Sequence, residues 1–570
     1  MAESGLGDGP MALRTGLLTT ILGGLLACQP GDVDLGFRPA SLSETGPRRA
    51  RLAEARIVID TSHTLHPASP FTNGFNRNHN HRQFAVHGLD RGRWLAALRQ
   101  LAPTWGDAWL LSQQRAGYPA NPARRTSYRL GHGPTDGRTD YGYMPGYRFL
   151  ACWGQDGQAA TWDGYPYDDM RYPLAEADEI GAEPLVTVNF GTDTPAAAAA
   201  LATWLNAPTA ALREAHPFFG PPGSAREARG SYMFEIGNEV QLRVVRGHER
   251  ALTVPMYVRE ARPYVEALRA GSAHPVKVAL AAAVNVYWGG PNDAGRGEAW
   301  PQQGAMVTAF LAAARQEGVR FDALQLHGYP SWPVAERLAG NAYLERLMHT
   351  QLLPALARAP HPVEIWNDEF HAASGLPRNT GIYGALYAAD AAVVAFRTTL
   401  GGRQVVPVTT DFAAWHAGRG GASDSLYFAD SRLDRPTPLY AFRRLLASNW
   451  GDWIVATEVV NAPTWVDAGR HGEQTPVSHL AAVASRTEAG VVHVLVVNRS
   501  RTPCEAWLMS PAGQPLAARA TRHVIRPLRQ AGEPWDAAWH EVEVREGEAV
   551  KAASALSFPA ASITLLTLRP

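Results

Sequence analysis

From about residue 172 onward the apolar positions fall into a repeating rhythm. A short, nearly continuous apolar run is followed by a stretch whose apolar residues recur every three to four positions, and then the pair repeats. The continuous runs predict strands at 184–190, 232–236, 276–282, 321–330, 361–370 and 405–411. The periodic stretches predict helices at 174–180, 195–205, 257–268, 305–317, 341–358, 382–399 and 439–448. Upstream, 93–101 reads as a helix and 109–111 as a short strand. About eight strand–helix units predict an α/β fold, a closed (β/α)8 barrel over residues 56–450. An open doubly wound sheet is the alternative, but no strand is followed by a glycine-rich dinucleotide turn. From residue 451 the helical rhythm fades. Runs at 453–459, 491–498 and 562–568, set between Gly, Pro and Asn, predict a C-terminal β-sandwich over 451–570. A strand at about 56–62 precedes the first barrel unit and is expected to join that sandwich.

The N-terminal segment reads as a targeting signal. A basic start at Arg14 leads into an apolar run that ends in Leu25-Leu26-Ala27-Cys28. It resembles a bacterial lipoprotein signal over 1–28, with Cys28 as the lipidated residue. Residues 29–55 then form a polar tether, and the expected location is the cell envelope, or the periplasm or medium if the lipid is absent. Residues 112–172 read as one long irregular segment rich in Tyr and Trp, a rim over the site.

Composition narrows the function. In 570 residues, 53 basic and 53 acidic side chains cancel, so nothing favours nucleic acid as a partner. A membrane is implied only through Cys28. Three scattered cysteines give neither a zinc site nor a disulfide framework. The 17 Trp and 18 Tyr suit stacking on sugar rings as well as core packing.

The candidate chemistry lies at two strand ends. "YMFEIGNEV" (residues 232–240) is a buried strand stopping in Gly-Asn-Glu, and "HPVEIWNDEF" (361–370) ends in Asp-Glu. A carboxylate directly after a buried strand is costly without a partner or a task. In a parallel barrel the strand C-termini are where catalytic groups gather, and a pair of carboxylates is what glycoside hydrolysis requires. Glu364, earlier on the second of these strands, is the alternative to Glu369.

These segments, together with "GAEPLVTVNFGTDTPAAAAALATWLN" (181–206), "LQLHGYP" and "VLVVNRS", resemble the ordered motifs of retaining (β/α)8-barrel glycoside hydrolases, with family 51 α-L-arabinofuranosidases the nearest in pattern. The resemblance implies Glu239 as acid/base and Glu369 as nucleophile, with carboxyls about 5–5.5 Å apart. Glu239 is then expected to have a raised pKa, and Glu369 to stay ionised by accepting hydrogen bonds. Asn238 would hold the sugar 2-hydroxyl, and His327 and Tyr329 would bond the nucleophile or the sugar. Asn189 and Asn76 are pocket candidates, and Trp288, Trp366 and Trp415 stacking candidates. The implied partner is a carbohydrate, with no metal and no cofactor. Two departures stand out. Where the family carries an arginine after its second barrel strand, this chain reads Trp105-Gly106-Asp107, and Glu369 is followed by Phe370 in place of Trp. Three readings follow: an arabinofuranosidase-like exo-enzyme, an endo-acting or uronic-acid-specific glycosidase, and a non-catalytic carbohydrate-binding lipoprotein.

Overall fold

Eight strands, each parallel to its neighbours, close into a barrel: Gly74–Arg77, Thr126–Leu130, Ala182–Val188, Met233–Ile236, Lys277–Asn285, Ala323–Gly328, Glu364–Phe370 and Val408–Asp411. Closure comes from the eighth strand pairing with the first, Asp411 opposite Phe75, and from the second pairing with the third, Thr126 opposite Ala182. This computed structural model describes residues 54–77, 90–130, 142–144, 148–150, 161–162, 165–166, 171–191, 194–206, 230–238, 240, 252–285, 303–328, 345–346, 348–370, 380–411, 427–428, 433–467, 475–528, 534 and 537–569. The signal, the tether up to residue 53 and parts of the rim segment therefore lie outside the described residues.

Two barrel strands differ from the sequence expectation. The first, Gly74–Arg77, is only four residues long and sits inside a polar stretch, so it makes no apolar run. Its glycine is sterically required: a Cβ at Gly74 would stand 2.0 Å from the Ser127 hydroxyl of the second strand. The second strand, Thr126–Leu130, falls in the segment read as irregular rim. Its inward positions are Ser127 and Arg129, polar residues that hide it from a hydrophobicity pattern. The apolar triplet at 109–111, expected as a strand, belongs to the helix Asp107–Arg115. Two residues of the triplet, Trp109 and Leu110, are buried, while Leu111 faces solvent. Asp452 caps this helix, its Oδ1 accepting from the amides of Gly106 at 2.8 Å and Asp107 at 2.9 Å. A carboxylate at a helix N-terminus contributes about 0.3–1 kcal/mol.

Several of the other helices start on side-chain caps that the sequence supplies. Asp90 caps Arg91–Arg99, Thr253 caps Val254–Gly271 and Thr437 caps Pro438–Ser448. Proline at the first turn of the last two needs no N–H partner there.

The segment from residue 453 to 568 forms a nine-stranded sheet that includes the early strand Arg56–Pro67. That strand runs antiparallel to Trp453–Val460 and parallel to Cys504–Met509. Side chains alternate between two apolar cores, as a pleated sheet dictates. Val492, Val494 and Val496 join Ile57, Ile59, Leu508 and Leu566 in a core within the sheet domain. Leu495, Val497, Ile563 and Leu565 turn the other way and pack with the barrel. The bridging element is the helix Ile382–Arg397, buried continuously from Ile382 to Phe396. A helix apolar on all sides must be covered on all sides. Its one buried acid, Asp390, pairs with Arg499, whose Nε lies 2.8 Å away. No helix among the described residues is long and apolar enough to cross a membrane.

Candidate active site

Three strand ends build the site. The fourth strand, Met233–Ile236, stops at Gly237, whose φ of 75° is left-handed and favours glycine. The Gly237 amide donates to Val188 O at 3.0 Å, which fixes the turn and leaves Asn238 fully buried. On the sixth strand Gln325 and His327 are two residues apart and so share one face. The seventh strand carries a β-bulge. Leu326 lies opposite Asn367 and His327 opposite Glu369, so Asp368 has no partner across the ladder. A bulge re-aims side chains, and here it lets two consecutive acids, Asp368 and Glu369, reach the same cluster. Asn76 Nδ2 and the Thr410 hydroxyl hold the bulge by donating to Asp368 O, the former at 2.9 Å.

Arg129 is the centre of the cluster and is fully buried. Its Nη1 donates to Glu369 Oε2 at 2.7 Å and to Asn76 Oδ1 at 3.3 Å. Nη2 donates to Asn238 Oδ1 at 2.6 Å and lies 2.7 Å from Glu235 Oε1. Nε donates to the same Glu235 oxygen at 2.9 Å and stands 3.7 Å from Asp368 Oδ2. The planar fork thereby ties the first, second, fourth and seventh strands to one another. Glu235 also accepts from the Thr187 hydroxyl and from Gln325 Nε2 at 2.8 Å. His327 Nε2 sits 3.6 Å from Asp368 Oδ1 and 3.6 Å from Glu369 Oε2, beyond hydrogen-bond range of both.

Three carboxyls therefore surround one guanidinium. Burial raises Asp368 well above the usual carboxylate range, the charge of Glu235 adds to the rise, and Arg129 opposes it. The three acids depress the acidity of Arg129 still further, against the cost of its burial. Replacing Arg129 by Ala would leave those acids without a cation among the described residues. Arg129→Ala is expected to cost about 3–5 kcal/mol of stability, measured by urea unfolding, as breaking a buried ion cluster does. An unfolding free energy equal to wild type would show that the acids do not depend on it.

The residues singled out from sequence distribute unevenly. Asn76, Asn238, His327 and Glu369 converge on Arg129. Asn189 is fully buried just beyond the third strand. Glu239, Tyr329, Trp288 and Trp415 lie outside the described residues. Trp366 does not stand at the mouth. It is fully buried, its indole N–H donates to Glu364 Oε2 at 2.9 Å, and it is a core residue, not a stacking platform. Glu364 is tied to Lys277 Nζ, at the start of the fifth strand, 2.5 Å away. Five residues of strand separate it from Glu369, roughly 16 Å. It therefore belongs to the opposite end of the barrel. Sequence reading missed Arg129, Glu235, Gln325 and Asp368. An arginine does stand on the second strand, Arg129, away from the stretch around Trp105.

This architecture, a (β/α)8 barrel with an appended β domain, is similar to that of solved glycoside hydrolases. The α-L-arabinofuranosidase of glycoside hydrolase family 51 from Thermotoga petrophila RKU-1 superposes with a TM-score of 0.60 at 17% identity, covering 90% of this chain and 100% of that one. A family 51 α-L-arabinofuranosidase from Bifidobacterium longum gives 0.61 at 14% identity, over 90% and 99% of the two chains. A family 44 xyloglucanase from Paenibacillus polymyxa gives 0.51 at 12%, over 91% and 100%. No protein-family model matches the sequence, and no curated protein matches it.

Proposed function

We propose that the protein is a retaining glycoside hydrolase of the arabinofuranosidase type, with Glu369 as nucleophile and Glu239 as acid/base. The observation that carries the reading is the placement of Glu369: at the C-terminal end of the seventh strand, 2.7 Å from a buried guanidinium that also holds Asn238. Asn238 immediately precedes Glu239 in the chain. In the first step a Glu369 oxygen bonds to the anomeric carbon as the glycosidic C–O bond breaks, and the Glu239 proton passes to the leaving oxygen. In the second, Glu239 takes a proton from water, the water oxygen bonds to the anomeric carbon, and Glu369 departs as carboxylate. Hydrogen bonds from Arg129 favour the ionised form of Glu369 that attack requires.

The fold likeness to family 51 enzymes supports an α-L-arabinofuranoside as substrate. The uronic-acid reading has less support, because the N–H groups of Arg129 face protein acceptors and are committed before a substrate arrives. A binding module would have no use for acids held at such electrostatic cost. A panel of aryl glycosides tests the reading, with the product configuration followed by NMR in the presence of methanol. Cleavage of the α-L-arabinofuranoside with retained configuration is expected. Inverted product would remove the double-displacement mechanism, and no turnover on any sugar would favour the binding module.

A further inference from the structure

Glu235 and Asp368 have no part in the two-carboxyl mechanism, yet both are fully buried beside it. Glu235 is furnished with donors from Arg129, Thr187 and Gln325, which suits a carboxylate. Asp368 is the opposite case. Neither of its oxygens has a hydrogen-bond partner among the described residues, and the Glu235 carboxyl stands at the same Arg129 guanidinium. A fully buried carboxylate without donors is among the costliest groups a fold can hold. A carboxylic acid in the same place can donate its proton to Glu235.

We propose that Asp368 is a positioning residue that shares its proton with Glu235, so that the single guanidinium of Arg129 is left to hold Glu369 as the ionised nucleophile. The proposal rests on Glu369 having that role. The charges facing Asp368 among the described residues come from every side. Arg129 lies on the second strand, Glu235 on the fourth, His327 on the sixth and Glu369 beside it on the seventh. Were Asp368 ionised, three carboxylates would compete for one cation. Two like charges at about 4 Å repel by roughly 4 kcal/mol at an effective dielectric of about 20. With the proton in place the cluster carries two anions against one cation, and the bulge at Asp368 sets where Glu369 stands. The bulge thus places a neutral acid and an ionised one side by side.

Infrared spectroscopy of the full-length protein labelled with 13C-carboxyl aspartate tests the protonation without any turnover. At neutral pH a labelled carboxylic-acid C=O band is expected in wild type and absent from Asp368→Asn. A wild-type spectrum with only carboxylate bands would overturn the proposal while leaving the glycosidase reading untouched. The positioning role is read from kinetics. Asp368→Ala should lose about tenfold or more in kcat with little change in KM, and Asp368→Asn, which still donates an N–H to Glu235, should recover most of that loss. The acid limb of kcat/KM should stay where it is in both variants, because no charge has been removed. An acid limb shifted to lower pH, or an Asn variant as impaired as Ala, would contradict it.

A raised folded-state pKa also has a stability consequence. The protonated acid's contribution is fully present below the ordinary aspartate range and is lost as pH rises through the folded value. Between about pH 5 and pH 8 the unfolding midpoint of Asp368→Asn should therefore fall less than that of wild type. Parallel curves would count against a proton on Asp368.

Discussion

Glu369→Gln is expected to lower kcat by about 10⁴-fold or more on the aryl glycoside that wild type cleaves best, as removal of an activated nucleophile does. The amide is nearly isosteric, so the side chain can still accept from Arg129 Nη1, and far-ultraviolet circular dichroism should be that of wild type. Lost activity then reports chemistry and not collapse of the cluster. Glu364→Gln, on the same strand but bonded to Lys277 at the far end of the barrel, is the control and should reduce kcat far less. If Glu369→Gln turned over within tenfold of wild type, Glu369 would not be the nucleophile.

The second large effect is expected at Glu239. Glu239→Ala should reduce turnover by about 10²–10⁴-fold on substrates with poor leaving groups, the range for loss of general acid catalysis. Substrates with activated leaving groups need no protonation at departure, so their first step should suffer least. Their glycosyl-enzyme then accumulates, because no base activates water. Azide needs no base, so its addition should restore turnover and give a glycosyl azide of retained configuration. Should azide leave the rate unchanged on every leaving group, Glu239 would lose its assignment as acid/base.

The legibility of the sequence followed local physics. Barrel strands three to eight were visible because each contains or directly follows a buried apolar run, as in the "LVTV" of Leu185–Val188, the "ALQL" of Ala323–Leu326 or the Val405-Val406 ahead of the eighth strand. The first and second were not, because "GFNR" and "TSYRL" point polar residues inward at the very positions where a hydrophobic pattern is sought. The β domain was legible from its alternation, and the early strand Arg56–Pro67 from its place ahead of the first barrel unit. Within the site, residues at strand ends announced themselves: Asn238, His327 and Glu369 each follow or end a recognisable segment, whereas Asn76 stood out only as part of a polar stretch whose strand was not foreseen. Arg129, Glu235 and Gln325 are buried polar residues inside strands, and a single sequence gives them no separate signal. For Glu235 and Gln325 the one mark is a charged or amide residue flanked by apolar ones at the centre of a predicted strand, as in "MFEI" and "ALQL", a pattern that does not by itself distinguish a site residue. A bulge such as that at Asp368 changes which face a side chain takes, and alternation counted along the strand cannot foresee it.

That difference between strand ends and strand interiors also shaped the two sides of the seventh strand. Glu364 and Trp366 bond to each other on the inward face, two residues apart, as regular alternation dictates. Past the bulge, alternation breaks, and Asp368 and Glu369 both meet Arg129. Glu364 and Glu369 are equally acidic in the sequence. It is the pairing with Lys277 at one end and with Arg129 at the other that separates a structural glutamate from the candidate nucleophile.

The covalent intermediate provides the most direct test. The enzyme is incubated with a 2-deoxy-2-fluoro glycoside of the sugar it turns over best, which forms the intermediate faster than it is released. It is then digested and the labelled peptide sequenced by mass spectrometry. The sugar is expected on Glu369, in the peptide that spans the seventh strand. Label on Glu364, or inactivation with the sugar on any other residue, would contradict the account.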